Sequence, residues 1–146
     1  MKAFRTLLKI AERDLETLRR ALGDPPPDAV GWTVAIPERF SATPLLLARC
    51  GITSSGATAR YLEAGGRRYS HIVDPRTGRA LTNPISATVV APDATTSDAL
   101  GTAICVMGEA DGARMIEDYA GASARIVVRS PARDRVLSTR GFPEVR

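Results

Sequence analysis

The stretch Ile85-Ser-Ala-Thr-Val-Val-Ala91 carries the strongest strand signal in this chain. Its residues alternate and are rich in β-branched side chains, which favours a strand, and Pro92 ends it. Residues 95–98 (Thr-Thr-Ser-Asp) then offer N-caps for a helix that runs to Met107 and stops at Gly108. The centre of the chain is therefore predicted to be a strand followed by a helix.

The C-terminal part continues this pattern. Residues 110–119 predict a second short helix, and residues 124–128 and 135–137 predict two closing strands. Strands, then helices, then strands indicate an α+β fold in which a mainly antiparallel sheet has its helices packed on one face.

Strand signals also precede the central stretch. Residues 31–36 have strand-type side chains and stop at Pro37, and the apolar residues 45–48 follow after a turn. Two further strand-like pieces, Arg60–Glu63 and Arg67–Val73, are separated by two glycines. This part predicts an antiparallel meander.

The first residues follow a helical period instead. Apolar side chains recur every three or four residues, at Phe4, Leu7, Leu8, Ala11, Leu15, Leu18 and Leu22. Gly23 and the prolines at 25–27 stop the pattern. We expect an amphipathic helix over residues 1–24, and a second unit over residues 30–146.

Composition limits the class of protein. The 146 residues match one domain, and 44% hydrophobic with 25% charged residues is typical of a globular chain. The net charge of +4 favours anionic partners. Basic residues are not interleaved with aromatic ones, so we expect no nucleic-acid partner.

Cys50 and Cys105 form no CxxC pair, which predicts two small packed thiols with neither a zinc site nor a disulfide.

No stretch approaches the about 20 apolar residues of a membrane span, so we expect no transmembrane helix. Charged residues within the first turns, such as Lys2 and Arg5, interrupt the apolar region that a secretory signal requires. The chain as written is expected to be cytoplasmic.

The densest polar cluster lies at residues 69–78, around the only histidine, His71. Asp-Pro-Arg-Thr-Gly at 74–78 forms a turn able to present N–H groups, a hydroxyl and a guanidinium to a phosphate-bearing ligand. The same residues are also compatible with a plain hairpin turn and a half-buried strand histidine. Spacing alone leaves both interpretations open.

Asp98 and Thr102 are four residues apart, so their oxygens project from one face of the predicted helix. A carboxylate and a hydroxyl are hard ligands that suit Mg²⁺ bound to substrate phosphates. The alternative is structural: Asp98 in the first turn favours the helix dipole, and Thr102 bonds back to a carbonyl.

Residues 68–78, Thr-Val-Val-Ala-Pro-Asp at 88–93 and Thr-Ser-Asp-Ala-Leu-Gly-Thr-Ala at 96–103 together resemble the C-terminal part of the FAD:protein FMN transferases, the ApbE family. Thr-Ser-Ser-Gly at 53–56 and the segment from Trp32 look like the strands that precede the histidine motif there. The resemblance covers roughly residues 30–140, and an ordered series of motifs is more specific than any single one.

The resemblance implies an enzyme that splits FAD with Mg²⁺ and transfers FMN to a threonine or serine hydroxyl of an acceptor protein. Asp98 and Thr102 then match the metal ligands, and His71 matches the histidine implicated in activity. Around it, the flavin-binding positions implied by the motif are His71, Ile72, Asp74 and Thr77.

Family members are about twice this length, and the first half of their chain supplies further pocket residues. A truncated chain of this kind is expected to self-associate or to be completed by a partner chain. The alternative function is an inactive flavin-binding remnant or such a subunit. Many relatives are exported lipoproteins, which bears on localisation if a segment precedes Met1. Ser-Gly-Ala-Thr at 55–58 also resembles the acceptor sequence, so Thr58 is a candidate for self-modification.

Overall fold

A computed structural model describes residues 20–37, 44–56 and 61–143. The strands in these ranges are β1 (Arg20–Leu22), β2 (Trp32–Val34), β3 (Leu45–Leu47), β4 (Cys50–Gly56), β5 (Tyr61–Ala64), β6 (Arg67–Ser70), β7 (Val73–Asp74), β8 (Arg79–Ala80), β9 (Ile85–Ala91), β10 (Ser123–Val128) and β11 (Arg135–Ser138). The helices are α1 (Ala94–Met107) and α2 (Glu109–Asp118). None of the described helices is long and apolar enough to cross a membrane.

Five strands form the main sheet in the order β1-β4-β9-β10-β11, and every neighbouring pair is antiparallel. Three separate antiparallel ribbons accompany it, namely β2–β3, β5–β6 and β7–β8. The predicted antiparallel character is therefore confirmed.

Alternation along β9 divides the core into two layers. Ile85, Ala87, Val89 and Ala91 face the helices, where they pack in one cluster with residues of α1, α2 and β10, among them Ile104 and Ile116. Val90 faces the other way, into a cluster that includes Ile52 and Val127 of the sheet and residues of the β2–β3 ribbon. Helices thus cover one face of the sheet and a ribbon covers the other, and burial of both faces supplies the main stabilising term.

Hydroxyl groups allow α1 to approach β4 closely. The Ser97 hydroxyl lies 2.9 Å from both the Thr53 hydroxyl and the Val89 carbonyl oxygen, and all of these groups are buried. At Gly101 an added Cβ would lie 3.0 Å from the Ser55 Oγ. Small residues and satisfied hydroxyls therefore bring the helix that carries Asp98 directly onto the sheet.

The predicted meander is wrong in its connectivity. Residues 32–34 pair with 45–47, and residues 61–64 pair with 67–70, but these ribbons do not join one another. The chain between them, β4, lies instead in the main sheet between β1 and β9. Long-range pairing with β9 buries β4, and short-range turn signals do not report such pairing.

The helix predicted for residues 1–24 is wrong at its end, because Arg20–Leu22 pair with Cys50–Ile52 as strand β1. Pairing with the edge of a sheet overrides a local helical period. Residues 1–19 of that prediction lie outside the described residues, as does Thr58.

Candidate functional site

Leu81 holds the backbone on both sides of His71 by hydrogen bonds. The Ser70 N–H donates to the Leu81 carbonyl oxygen at 2.8 Å, and the Leu81 N–H donates to the Ile72 carbonyl oxygen at 2.8 Å. The Ser70 hydroxyl accepts the Ile72 N–H at 3.0 Å. His71 is exposed between two buried neighbours. It stands on the surface of a tightly bonded segment, which corrects the alternative of a half-buried strand residue.

The turn after β7 is organised by Asp74. Its carbonyl oxygen accepts the N–H groups of Thr77 and Gly78 at 3.2 and 2.8 Å. Its carboxylate accepts the Arg76 backbone N–H at 2.9 Å and both Nε and Nη2 of the Arg76 guanidinium at 3.0 Å. The Arg76 hydrogen bonds hold the pKa of Asp74 below its usual value. Asp74 is therefore an ionised carboxylate that shapes the turn.

Asp74 and Thr77 line a groove of about 640 Å³ together with Tyr69, Arg79 and Val106. The Thr77 side chain is exposed, and its hydroxyl accepts the Arg79 N–H at 3.3 Å. Of the residues with an expected cofactor role, these two border the groove, whereas His71 and Ile72 do not.

Ile72 anchors the segment to α1. Its side chain is 7% exposed and packs with Leu81 and Cys105 in one buried cluster. Cys105 lies in the C-terminal half of α1. The histidine segment therefore rests on the same helix that carries the expected metal ligands.

Asp98, Thr102 and Cys105 lie on one side of α1. At about 100° per residue, spacings of four and seven place these side chains within roughly 60° of one another. Cys105 is buried, Thr102 is exposed and Asp98 is half-buried. With a rise of about 1.5 Å per residue, Thr102 lies roughly 4.5 Å along the axis from Cys105, and Asp98 roughly 10 Å. Asp98 and Thr102 thus lie on the side of the helix that packs against the histidine segment at Cys105.

Asp98 does not cap the helix, so the predicted capping and dipole alternative for this residue is wrong. Helix α1 begins at Ala94, so Asp98 lies beyond its first turn, and the N-cap is Asp93. The Asp93 carboxylate accepts the Thr96 N–H at 2.9 Å and the Thr96 hydroxyl at 2.7 Å, which holds the pKa of Asp93 below its usual value. The prediction that the N-cap lies within residues 95–98 is wrong, because the cap is Asp93. The sequence does contain a signal for this cap, since an aspartate directly follows the proline that ends the strand.

The donor set fits Mg²⁺ better than a metal held wholly by protein. Within residues 20–37, 44–56 and 61–143, no group of three or more His, Cys, Asp or Glu side chains gathers as a metal cage. A carboxylate and a hydroxyl on one helix face suit an ion that keeps waters and binds substrate phosphates.

Two further residues, Asn83 and Ser70, support the candidate site through contacts that the sequence does not predict. Asn83 donates from Nδ2 to the Cys105 carbonyl oxygen at 2.9 Å, which ties the segment after Leu81 to α1. Ser70 supports the backbone at His71, as described above. Neither side chain shows a motif by itself, because each acts through a contact that only the fold creates.

Both cysteines are free, as expected. Burial raises the pKa of Cys105 to about 12 and also raises that of Cys50. They behave as packed apolar groups, since the neutral thiol is the stable form in a buried site.

Together these features define an α+β domain whose helix α1 carries two oxygen donors on the side that packs against the histidine segment at Cys105. The family model described as "ApbE family" matches residues 18–126. The chain belongs to this family.

Curated proteins named FAD:protein FMN transferase are also similar to this chain. The FAD:protein FMN transferase of Rhodobacter capsulatus is 36% identical over 119 residues, which are 79% of this chain and 22% of that protein. The enzyme of the same name from Treponema pallidum is 36% identical over 124 residues, 75% of this chain and 34% of that protein. The chain therefore spans about a fifth to a third of these curated relatives.

A solved structure shows the same fold. The apo form of the Pseudomonas stutzeri flavinyl transferase ApbE matches with a TM-score of 0.67 and 33% identity, over 82% of this chain and 38% of that one. The ApbE protein of Thermotoga maritima matches with a TM-score of 0.67 and 28% identity, over 95% of this chain and 48% of that one. Both the α+β class and the family resemblance are thus confirmed.

Proposed function

We propose that this chain carries the C-terminal part of a flavin-transfer site that moves FMN from FAD to a threonine or serine hydroxyl of an acceptor protein. The observation that supports the proposal is that Asp98 and Thr102 share one side of α1 with Cys105, and Cys105 packs with Ile72 of the histidine segment. The names of the relatives supply the reaction class.

The reaction balances without a redox step. The acceptor hydroxyl oxygen forms a bond to the phosphorus of the FMN half, the pyrophosphate P–O bond breaks, and AMP leaves with the bridging oxygen. The hydroxyl proton must be accepted by a base or by solvent. The protein therefore has to hold the pyrophosphate, neutralise its developing charge and remove one proton.

Asp98 and Thr102 are the residues that would hold Mg²⁺. When bound, the ion neutralises charge on the phosphate oxygens and favours departure of AMP. Seating of α1 on the sheet through Ser97 and Gly101 gives the two donors a rigid base. Rigid placement of ligands is what a site for a weakly held ion requires.

His71 is the candidate base, because its exposed imidazole lies where an acceptor can reach it. Asp74 and Thr77 border the groove that we assign to FAD, where Asp74 shapes the turn and Thr77 is an exposed residue. The role of Ile72 in this proposal is to fasten the flavin-binding segment to α1 through its packing on Cys105.

The test is covalent flavin transfer. The chain is incubated with FAD, MgCl₂ and a threonine-containing acceptor protein, and the product is read by in-gel flavin fluorescence and by intact mass. Asp98→Asn is expected to reduce the rate about a hundredfold or more, since loss of a metal ligand removes several kcal/mol of transition-state stabilisation. Chelation by EDTA is expected to have the same effect on the parent chain.

Asp111→Asn is the matched control, because Asp111 is an exposed helical carboxylate paired with Arg114 on α2. It is expected to transfer FMN at the parent rate. Equal rates for Asp98→Asn and the parent chain would contradict the metal assignment. A parent chain that binds FAD but transfers no FMN would favour the inactive flavin-binding alternative, and transfer restored only by a second chain would favour the partner-completed subunit.

A further inference from the structure

The chain bulges at His71. In a regular antiparallel pair, one residue exchanges both hydrogen bonds with a single residue opposite. Here Leu81 accepts from Ser70 and donates to Ile72, so its two bonds bracket His71. A bulge of this kind bends the strand and redirects a side chain, and such bulges are frequent beside active sites.

The Ser70 side chain closes this bulge from within. Its hydroxyl accepts the Ile72 N–H at 3.0 Å, and the bond spans His71. Ser70 is only 5% exposed and Ile72 only 7%. A serine hydroxyl bonded to the N–H two residues later is a recognised device for fixing a turn. In this position it fixes the backbone from which the imidazole projects.

We propose that Ser70 is the positioning residue for His71, and that its hydroxyl sets the direction of the imidazole. The proposal rests on the proposed function insofar as His71 acts on the acceptor hydroxyl. Ser70 is only 5% exposed and its hydroxyl accepts the Ile72 N–H, so we assign it a role that acts through the backbone at His71. A base displaced by about 1 Å from its productive position loses much of its effect, which makes such a support valuable.

The single histidine makes a direct test possible. Its imidazole Cδ2–H and Cε1–H groups give one unambiguous pair of signals in a ¹H–¹³C NMR spectrum of the full chain. Ser70→Ala removes the acceptor for the Ile72 N–H, so the pair is expected to shift and broaden at constant pH. Ser70→Thr keeps a hydroxyl at the same place, so the pair is expected to return to the parent position.

Ser54→Ala is the matched control. Ser54 is also a buried serine, and its hydroxyl shares a 2.7 Å hydrogen bond with the Thr88 hydroxyl, but it lies in β4, away from the histidine segment. It removes a buried hydroxyl bond without touching the bulge. The imidazole signals are expected to stay at their parent positions in this variant, and circular dichroism checks that every variant is folded.

The kinetic counterpart is a split between kcat and KM. Ser70→Ala is expected to lower kcat for FMN transfer about fivefold to tenfold while leaving KM for FAD unchanged, since the misplaced group acts at the proton-transfer step. Ser70→Thr is expected to recover the parent kcat. Imidazole signals that do not move in Ser70→Ala, or that move equally in Ser70→Thr, would overturn the proposal. If the parent chain transfers no FMN, the proposed function fails while the NMR result still decides the role of Ser70.

Discussion

Gly51 is the position where a single methyl group would do most damage to the candidate site. It lies in β4 opposite Ala91, directly beneath the start of α1. A Cβ added there would lie 2.1 Å from the Asp93 carbonyl carbon and 2.2 Å from the Ala94 nitrogen. Ordinary contacts begin at 3.4 Å, and both neighbours are backbone atoms that cannot rotate away. Gly51→Ala must therefore displace the first turn of α1 by more than 1 Å.

The expected loss of unfolding free energy is about 3 kcal/mol, the upper end of the range for overpacking a closed site. The same displacement pulls the Thr96 N–H away from the Asp93 carboxylate and moves the helix that carries Asp98. We therefore expect weaker FMN transfer as well as lower stability. Stability is measured by urea unfolding followed by circular dichroism.

Gly23→Ala and Gly101→Ala serve as controls for the urea unfolding of Gly51→Ala. Gly23→Ala meets nothing within 4 Å, so its change is expected to stay within about 0.5 kcal/mol. Gly101→Ala meets the Ser55 hydroxyl at 3.0 Å, which can rotate, and alanine gains about 1 kcal/mol of helix propensity, so the two effects nearly cancel. Gly51→Ala is therefore expected to be far more destabilising than either Gly101→Ala or Gly23→Ala. A Gly51→Ala variant that unfolds at the same urea concentration as Gly23→Ala would refute the packing of α1 on β4.

Three further changes follow from single contacts. Asp93→Ala is expected to be destabilising at pH 7, and the difference from the parent chain should vanish as the pH falls below the usual aspartate value of 3.8 and through the lowered pKa of the folded carboxylate; a difference independent of pH would contradict the cap. Ile104→Ala, at a fully buried core position, is expected to lose about 2–5 kcal/mol in urea unfolding. Thr139→Val leaves the Ala124 N–H without the hydroxyl that accepts it at 2.8 Å, and a loss of about 1–3 kcal/mol is expected; an unchanged midpoint would contradict that bond.

The elements predicted best are those whose pattern is satisfied locally. The strand at Ile85–Ala91 was predicted with its observed bounds, because alternating β-branched residues fit a sheet buried on both faces. Strand β4 has no such signal, since Thr53, Ser54 and Ser55 are polar residues buried only because α1 and β9 cover them. The family resemblance, and not the residue pattern, indicated a strand at 53–56.

The site was predictable in its parts and not in its assembly. The spacing of Asp98 and Thr102 is enough to predict that they share one face of a helix. The residue types at 74–78 are enough to predict a turn there. The contact of Ile72 with Cys105 joins these parts, and it links residues separated by more than thirty positions. The sequence does not show which distant apolar residue an isoleucine or a cysteine will contact. The packing of the histidine segment on α1 can therefore be read only from the folded structure.

Cys105 offers a chemical test of that assembly. It is 1% exposed beneath Ile72 and Leu81, and burial raises its pKa to about 12, so both access and thiolate formation suppress its reaction. In a Cys50→Ser variant, a disulfide-exchange reagent at pH 8 is expected to label Cys105 slowly in buffer and rapidly in urea.

Uncovering the thiol should then accelerate its labelling. Ile72→Ala removes the side chain that joins the histidine segment to α1, so labelling of Cys105 is expected to accelerate at least about tenfold, the factor that corresponds to about 1.4 kcal/mol of easier opening. Ile36→Ala is the control, because Ile36 is buried to the same 7% but in the cluster on the opposite face of the sheet. It should destabilise the chain without uncovering the thiol. Equal labelling rates in the two variants would mean that the histidine segment is not seated on α1, and would contradict the packing through which we relate this segment to Asp98 and Thr102.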